Sequence, residues 1–344
     1  MTNAAPAITV RPIDPDTAGT DAAREACARV ARLSAGSHTI DVTESLNKFE
    51  SRHHTMFVYA GDAPEVADEA SIQAGPDPVG WAIAQDRAAG RINAVWAIDP
   101  THPSADAVAD VMVQWLMQTA GEISAERGLA ESMLVAEVEA EHAVRMAALE
   151  RAGFEKVRTW LTMQIPLSPA ATTESERDDP RYAATNTADS GDLVIRTVES
   201  QEDKEELHRV LELAFRDHFN YYRETFEEFE ERVEMLAGHA WDLDFVAEHP
   251  ERGIVGALIT GSSADGTTAH AEYLGVSGDA RGLGAASSLL TVFQETYRAA
   301  GFTTAELQVD ADSPTGADKL YRKLGYTPTA QQFTYHHPVS APQG

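Results

Sequence analysis

Cationic side chains are scarce in this chain: 27 Lys and Arg stand against 55 Asp and Glu among 344 residues, a formal net charge of −28. Nucleic acid and anionic lipid are recognised through basic patches, so a surface this acidic excludes both as partners. Cysteine is almost absent. The single Cys27 rules out an internal disulfide and fits a reducing, cytoplasmic setting. Its neighbours, REACARV, read as one face of an early helix, where a small buried side chain rather than a nucleophile is expected. No apolar run approaches the ~18 residues of a membrane span. The opening MTNAAPAITVRPID lacks the basic and apolar stretches of a signal peptide. Aromatics are only 7% of the chain, yet 43% hydrophobic residues suffice for globular cores, and the length suggests about two of them.

Large apolar side chains are also missing from 167–192, LSPAATTESERDDPRYAATNTADSGD, where only Leu167 and Tyr182 qualify. Such a segment buries too little surface to fold and reads as a flexible linker. The flanking segments match each other in order: ITVR from Ile8 with LVIR from Leu193, FVYA from Phe57 with FVAE from Phe245, VGWAI from Val79 with VGALI from Val255, and ALERAGF from Ala148 with LYRKLGY from Leu320. Four weak matches in one order indicate a tandem duplication, with domains at 1–166 and 193–344.

In the second copy, Leu207, Val210, Leu211, Ala214 and Phe215 follow helical spacing, and Phe226, Phe229, Val233 and Leu236 form a second such face. His270, Glu272, Leu274 and Val276 alternate as on a strand and are expected on one face. A helix is expected over about 284–300, a strand over Thr304–Asp310 and a last helix over Ala317–Leu324, stopped by Gly325. This order implies an α/β or α+β sheet domain.

The most informative stretch is EYLGVSGDARGLGAASSLL, Glu272–Leu290. A strand ends near Val276, a turn carries Arg281, Gly282 and Gly284, and a helix follows at once. The glycines let backbone approach a ligand, the helix start offers unpaired N–H groups, and Arg281 adds a cation, which together describe a diphosphate cradle. A Walker loop would need Gly-Lys-Ser/Thr, which is absent, and a dinucleotide fingerprint would need a glycine where Ser287 stands.

Arg281-x-x-Gly284-x-Ala286, followed by DADSPTGADKLYRKLGY, resembles the GNAT superfamily of acyl-CoA-dependent N-acyltransferases. Both copies take part, and with AFRDHFNY over Ala214–Tyr221 the chain is similar to the tandem-domain type that includes mycothiol synthase and its actinobacterial relatives. The resemblance implies two GNAT-like domains, each with a mixed, mostly antiparallel sheet flanked by helices. It implies acetyl-CoA as co-substrate, no metal, and transfer of acetyl to the primary amine of a small molecule or peptide. The diphosphate would sit at Arg281, Gly282, Leu283, Gly284, Ala285 and Ala286, and the pantetheine and oxyanion at backbone groups of Leu274, Gly275 and Val276. Ser313 stands where the family often has an asparagine near the cofactor. Tyr321 corresponds to the acid that protonates the leaving thiolate. Relatives often place a glutamate base where this chain has His270, and Glu272 lies two residues on, so both are candidates. Asp217 and His218 fall where the family contacts its acceptor. A non-catalytic acyl-CoA sensor with the same fold is the alternative.

Aligned on Ile98 and Val276, the first copy puts Pro103 at the arginine, Ser104 and Asp106 at the two glycines, and Leu149 at Tyr321. An aspartate aimed at a diphosphate repels it. The first copy is therefore expected to be a degenerate, structural domain and the second the catalytic one.

The acid is also unevenly placed. Residues 199–251 hold 17 acidic and 5 basic side chains, and 252–344 hold 8 and 6. If this acidic segment draws in a cationic acceptor, kcat/KM for such an acceptor falls several-fold between about 0.02 and 0.3 M salt, where screening shortens to a few ångströms. A rate indifferent to salt contradicts that steering.

Overall fold

In the computed structural model, the residues described are 7–34, 53–87, 90–167, 193–216, 223–312 and 316–342. They form two compact units, one of residues up to Trp160 together with those from Gln331 onward, the other Leu161–Ala330. This division departs from domains at 1–166 and 193–344. The reason is where apolar side chains are buried: Met163 of the first copy and Leu167 of the expected linker lie in the core of the second unit, and Tyr335 and Val339 of the second copy in the core of the first. Of the expected linker, 168–192 lies outside the described residues.

The first unit runs β1 (Ile8–Ile13), α1 (Pro15–Ala18), α2 (Asp21–Ser34), β2 (His53–Ala60), α3 (Glu69–Ala74), β3 (Gly80–Arg87), β4 (Arg91–Ile98), α4 (Ala105–Glu126), β5 (Glu131–Glu139) and α5 (Ala143–Arg151), then enters β6 (Glu155–Pro166). Its strands lie in the order β1-β2-β3-β4-β5-β12, where β12 is Thr327–Ser340. All the pairs are antiparallel except β4 with β5. The buried face of α2, Ala23, Ala26, Cys27, Val30 and Ala31, packs on this sheet, and burial pushes the Cys27 thiol's pKa up, away from reactivity.

The second unit repeats the plan with β7 (Val194–Thr197), α6 (Gln201–Phe215), α7 (Phe226–Glu234), β8 (Phe245–His249), β9 (Gly253–Ser262), β10 (Thr268–Val276), α8 (Ala285–Ala299), β11 (Thr304–Asp310) and α9 (Ala317–Lys323). The order is β6-β11-β10-β9-β8-β7, antiparallel from β7 to β10 and parallel between β10 and β11. Ser200 caps α6 by accepting from the Asp203 amide, and Thr225 with Glu228 forms a capping box on α7. Leu207, Val210, Leu211, Phe229 and Val233 cover one sheet face; Leu289, Leu290, Val292 and Phe293 of α8 cover the other. The sheet is thus flanked by helices on both faces.

One buried polar group ties this layering together. Asp244, with no solvent exposure, accepts from the Thr260 amide at 2.7 Å and lies 2.8 Å from His239 Nε2. Thr260 Oγ1 is in turn 2.9 Å from the Tyr297 hydroxyl on α8. Burial raises the pKa of Asp244 against the opposing pull of His239 and Thr260. Asp244→Ala strands the Thr260 amide and His239, and is expected to cost about 3 kcal/mol in urea unfolding of the full chain. A loss below about 1 kcal/mol contradicts this reading.

Candidate active site in the second unit

The site begins with two neighbouring strands that stop pairing. β10 and β11 are in register over four residues, Thr268–Ala271 with Thr304–Leu307, and both run on beyond the last pair, to Val276 and Asp310. On its other side β10 carries a β-bulge against β9: Ala271 pairs with Thr260 but Tyr273 with Ile259, so Glu272 is the extra residue. A bulge shifts the alternation by one and re-aims side chains. The expectation that His270, Glu272, Leu274 and Val276 share a face is thereby corrected. Leu274 and Val276 pack with Ala269 and Ala271 on the α8 side, whereas His270 falls on the side of Tyr273 and Gly275. Gly275 is needed for packing too, since a Cβ there would lie 2.8 Å from Leu211 and 2.9 Å from Ala214 of α6.

Beside the parting lies a cavity of about 320 Å³ lined by Thr162, His270, Glu272, Tyr273, Glu306 and Gln308, with the backbone of Ala271 and Leu307 between them. Parallel pairing sets Glu306 directly beside His270, with His270 Nδ1 3.5 Å from Glu306 Oε1. Gln164 Nε2 donates to the other carboxylate oxygen, Glu306 Oε2, at 2.6 Å. Burial pushes the His270 pKa down, but contact with Glu306 and the charges of Glu272 and Glu306 outweigh it, and the net direction is upward. Glu272 has room for its carboxylate because β9 offers Gly261, where a Cβ would stand 3.0 Å from Glu272 Oε1. Glu306, Gln164 and Thr162 were not singled out from the sequence. The alternation in TAELQVD carried a signal for Glu306; Gln164 and Thr162 belong to the first copy, and nothing in their own stretch connects them to the second.

β10 also leads into the glycine turn where a diphosphate cradle is expected. After a 3₁₀ turn at Gly278–Ala280, Gly282 and Gly284 adopt φ of 85° and 84°, a left-handed conformation that side-chain-bearing residues resist. Gly284 caps α8 with backbone alone. The amides of Ala285, Ala286 and Ser287 open the helix and have no acceptor within it, and the dipole adds positive potential there. Arg281, Gly282, Leu283 and Gly284 are exposed. Ala285 is buried against Gly256, where a Cβ would stand 3.2 Å from Ala247 and Leu289 and 3.5 Å from Ala285, so small residues bring this helix start close to the sheet.

The first unit shows the same frame with different side chains on it. β4 and β5 likewise pair over four residues, Arg91–Ala94 with Met133–Ala136, but β3 and β4 stay in register throughout, with no bulge. In its loop the Thr101 amide donates to Asp99 Oδ1 and the Ser104 amide to His102 Nδ1. Asp106 occupies the first turn of α4. Leu149 is fully buried among apolar neighbours.

Tyr321 lies on α9, 8% exposed, its ring edge-on to Tyr326 at 6.2 Å, and burial pushes its hydroxyl pKa up to about 12. Asp217, His218 and Ser313 lie outside the described residues. Among the described residues, no three His, Cys, Asp or Glu side chains group as metal ligands do.

Residues 206–326 of the chain match the model of the acetyltransferase (GNAT) family, and the chain has the fold of tandem GNAT proteins. Its fold is similar to that of a GCN5-related N-acetyltransferase from Sphaerobacter thermophilus, at 21% identity over 98% of this chain and 97% of the other, with a TM-score of 0.68. It is also similar to a tandem GNAT protein from the clavulanic acid biosynthesis pathway, at 12% identity over 98% of this chain and all of the other, with a TM-score of 0.61. A GNAT-family acetyltransferase from Colwellia psychrerythraea aligns at 13% identity over 95% and 98% of the two chains, with a TM-score of 0.53. No curated protein sequence matches the chain.

Acyl-CoA substrates are generally used by this family. Gly284→Val forces a β-branched residue to φ near 84° and is expected to weaken acetyl-CoA binding by more than about tenfold in calorimetry, with the fold retained by circular dichroism. Unchanged affinity contradicts the assignment of the turn.

Proposed function

We propose that the second unit transfers the acetyl group of acetyl-CoA to a primary amine of a small molecule or peptide, by direct attack within a ternary complex, and that the first unit is a structural copy. The observation that carries this reading is the double use of β10. One strand presents an ionisable cluster where it parts from β11 and ends in a turn fitted to a diphosphate.

The turn fits such a group for reasons independent of family. Its two left-handed glycines, the free first-turn amides of α8 and the exposed Arg281 form an anion cradle that any side chain at Gly284 would strain. Bound there, acetyl-CoA supplies an activated thioester. Backbone groups of Leu274, Gly275 and Val276, past the last β10–β11 pair, are proposed to hold the pantetheine chain and the carbonyl oxygen. His270, with Glu272 beside it, is proposed to take the proton of the acceptor ammonium as nitrogen bonds to the carbonyl carbon. Tyr321 is proposed to give its proton to sulfur as the carbon–sulfur bond breaks, and to regain one, through solvent, from the second proton that the nitrogen sheds as the amide forms. A hydroxyl with a pKa near 12 keeps that proton across the working pH range, as a donor must. The neutral imidazole is the basic form, and the His270 pKa is raised. The rate should therefore climb with pH through a value above the ~6.5 of a free histidine. Asp217 and His218 are proposed as acceptor contacts and Ser313 as a cofactor contact, by their sequence positions.

Thiol release from acetyl-CoA against a panel of amines tests the reading. The wild type is expected to turn over at least one acceptor, and Tyr321→Phe to lower kcat by about 10²-fold with KM for acetyl-CoA within about twofold. Binding without release for every amine, or full activity in Tyr321→Phe, contradicts it.

A further inference from the structure

The Gln164–Glu306–His270 arrangement takes one member from each of three strands: β6, β11 and β10. Its geometry is directional. Glu306 is anchored through Oε2 by Gln164 at 2.6 Å and turns Oε1 toward His270 Nδ1 at 3.5 Å. A carboxylate on Nδ1 keeps the proton on that nitrogen and directs the basic lone pair of the neutral ring to Nε2. Strand register keeps Glu306 opposite His270, and Gln164 holds its other oxygen. The same face carries Glu272, so the groups around His270 are Glu272 on its own strand, Glu306 on β11, and the neutral Gln164, Thr162, Gln308 and Tyr273. Among the described residues that line this cavity, two carboxylates and no cation border the ring.

We propose that Glu306, anchored by Gln164, is a positioning residue that orients His270 with Nε2 toward the acceptor amine, so that the first copy of the duplication contributes a residue needed by the site of the second. This rests on the acyl-transfer reading above. It also gives the duplication a chemical consequence. Residues 161–166 pack as part of the second unit although they end the first repeat, so a chain starting at the second repeat would lack the anchor of Glu306. Proton flow is simple: the ammonium proton passes to His270 Nε2, Glu306 stays ionised, and the proton leaves to solvent after the thiol departs.

The test uses the full-length protein with ¹⁵N-labelled histidine. Imidazole resonances are followed against pH, the His270 signal being identified by its loss in His270→Gln. In Glu306→Gln, which keeps shape and loses charge, the His270 midpoint is expected to fall by about one pH unit and the tautomer signature to change from predominantly Nδ1–H to a mixture. In Gln164→Leu the same changes are expected at smaller amplitude. In steady-state assays Glu306→Gln should lower kcat 10–50-fold, leave KM for acetyl-CoA within about twofold, and move the acid limb of kcat/KM to lower pH together with the His270 midpoint. Unaltered His270 titration and tautomer in Glu306→Gln overturn the proposal. So does an acid limb that persists in His270→Gln and disappears in Glu272→Gln. Absence of transfer by the wild type to any amine, with the titration shift present, defeats the acyl-transfer reading while leaving the Glu306–His270 pairing established.

Discussion

Everything at the site depends on two parallel strands that pair for four residues and then part. Past Ala271 and Leu307 the two strands no longer pair with each other, and the cavity opens beside that parting. That opening is where the pantetheine arm is proposed to lie. The bulge at Glu272 sharpens the same device. By inserting one residue on the β9 side, it turns Tyr273 and Gly275 toward α6 and leaves Leu274 and Val276 packed under α8. The strand therefore keeps both cores filled while its polar residues face the cavity.

The two units separate frame from chemistry. Both have the four-residue parallel pairing and the following helix, so those features belong to the fold and cannot by themselves imply catalysis. Among the described residues, the second alone combines a bulge, left-handed glycines at a bare helix start and ionisable groups lining a cavity beside the parting; past the last pair of the first, Glu139 is ion-paired with buried Arg145, which also donates to the Glu137 carbonyl. The first instead meets its loop amides with Asp99 and His102 and places Asp106 in the helix turn. Its apolar residues persist because they bury surface, for which any well-fitting side chain serves.

Sequence patterns reveal local features well and non-local ones poorly in this chain. Helical spacing at Leu207, Val210 and Leu211 and the strand pattern at Thr304–Asp310 report one segment's own burial, and α6 and β11 form there. RGLGAA announces its turn because a left-handed backbone restricts residue choice locally. The bulge was invisible because its cause is the register of β9 against β10, and alternation read on β10 alone put His270 and Leu274 on the same side. Gln164 is not legible for a related reason: the composition break at 167 reads as a domain boundary, while the strand before it packs into the second unit's core through Met163. Which residues touch across strands is decided by pairing, and pairing is not written in either strand separately.

The central claim, that the ligand-bearing frame is the second unit's and not the first's, is tested most directly by amide hydrogen exchange with and without acetyl-CoA. The account predicts slowed exchange in peptides covering 272–288, where β10 parts from β11 and α8 begins, and no change in 94–108, the matching stretch of the first unit. Equal protection of both stretches, or protection of 94–108 alone, would contradict it.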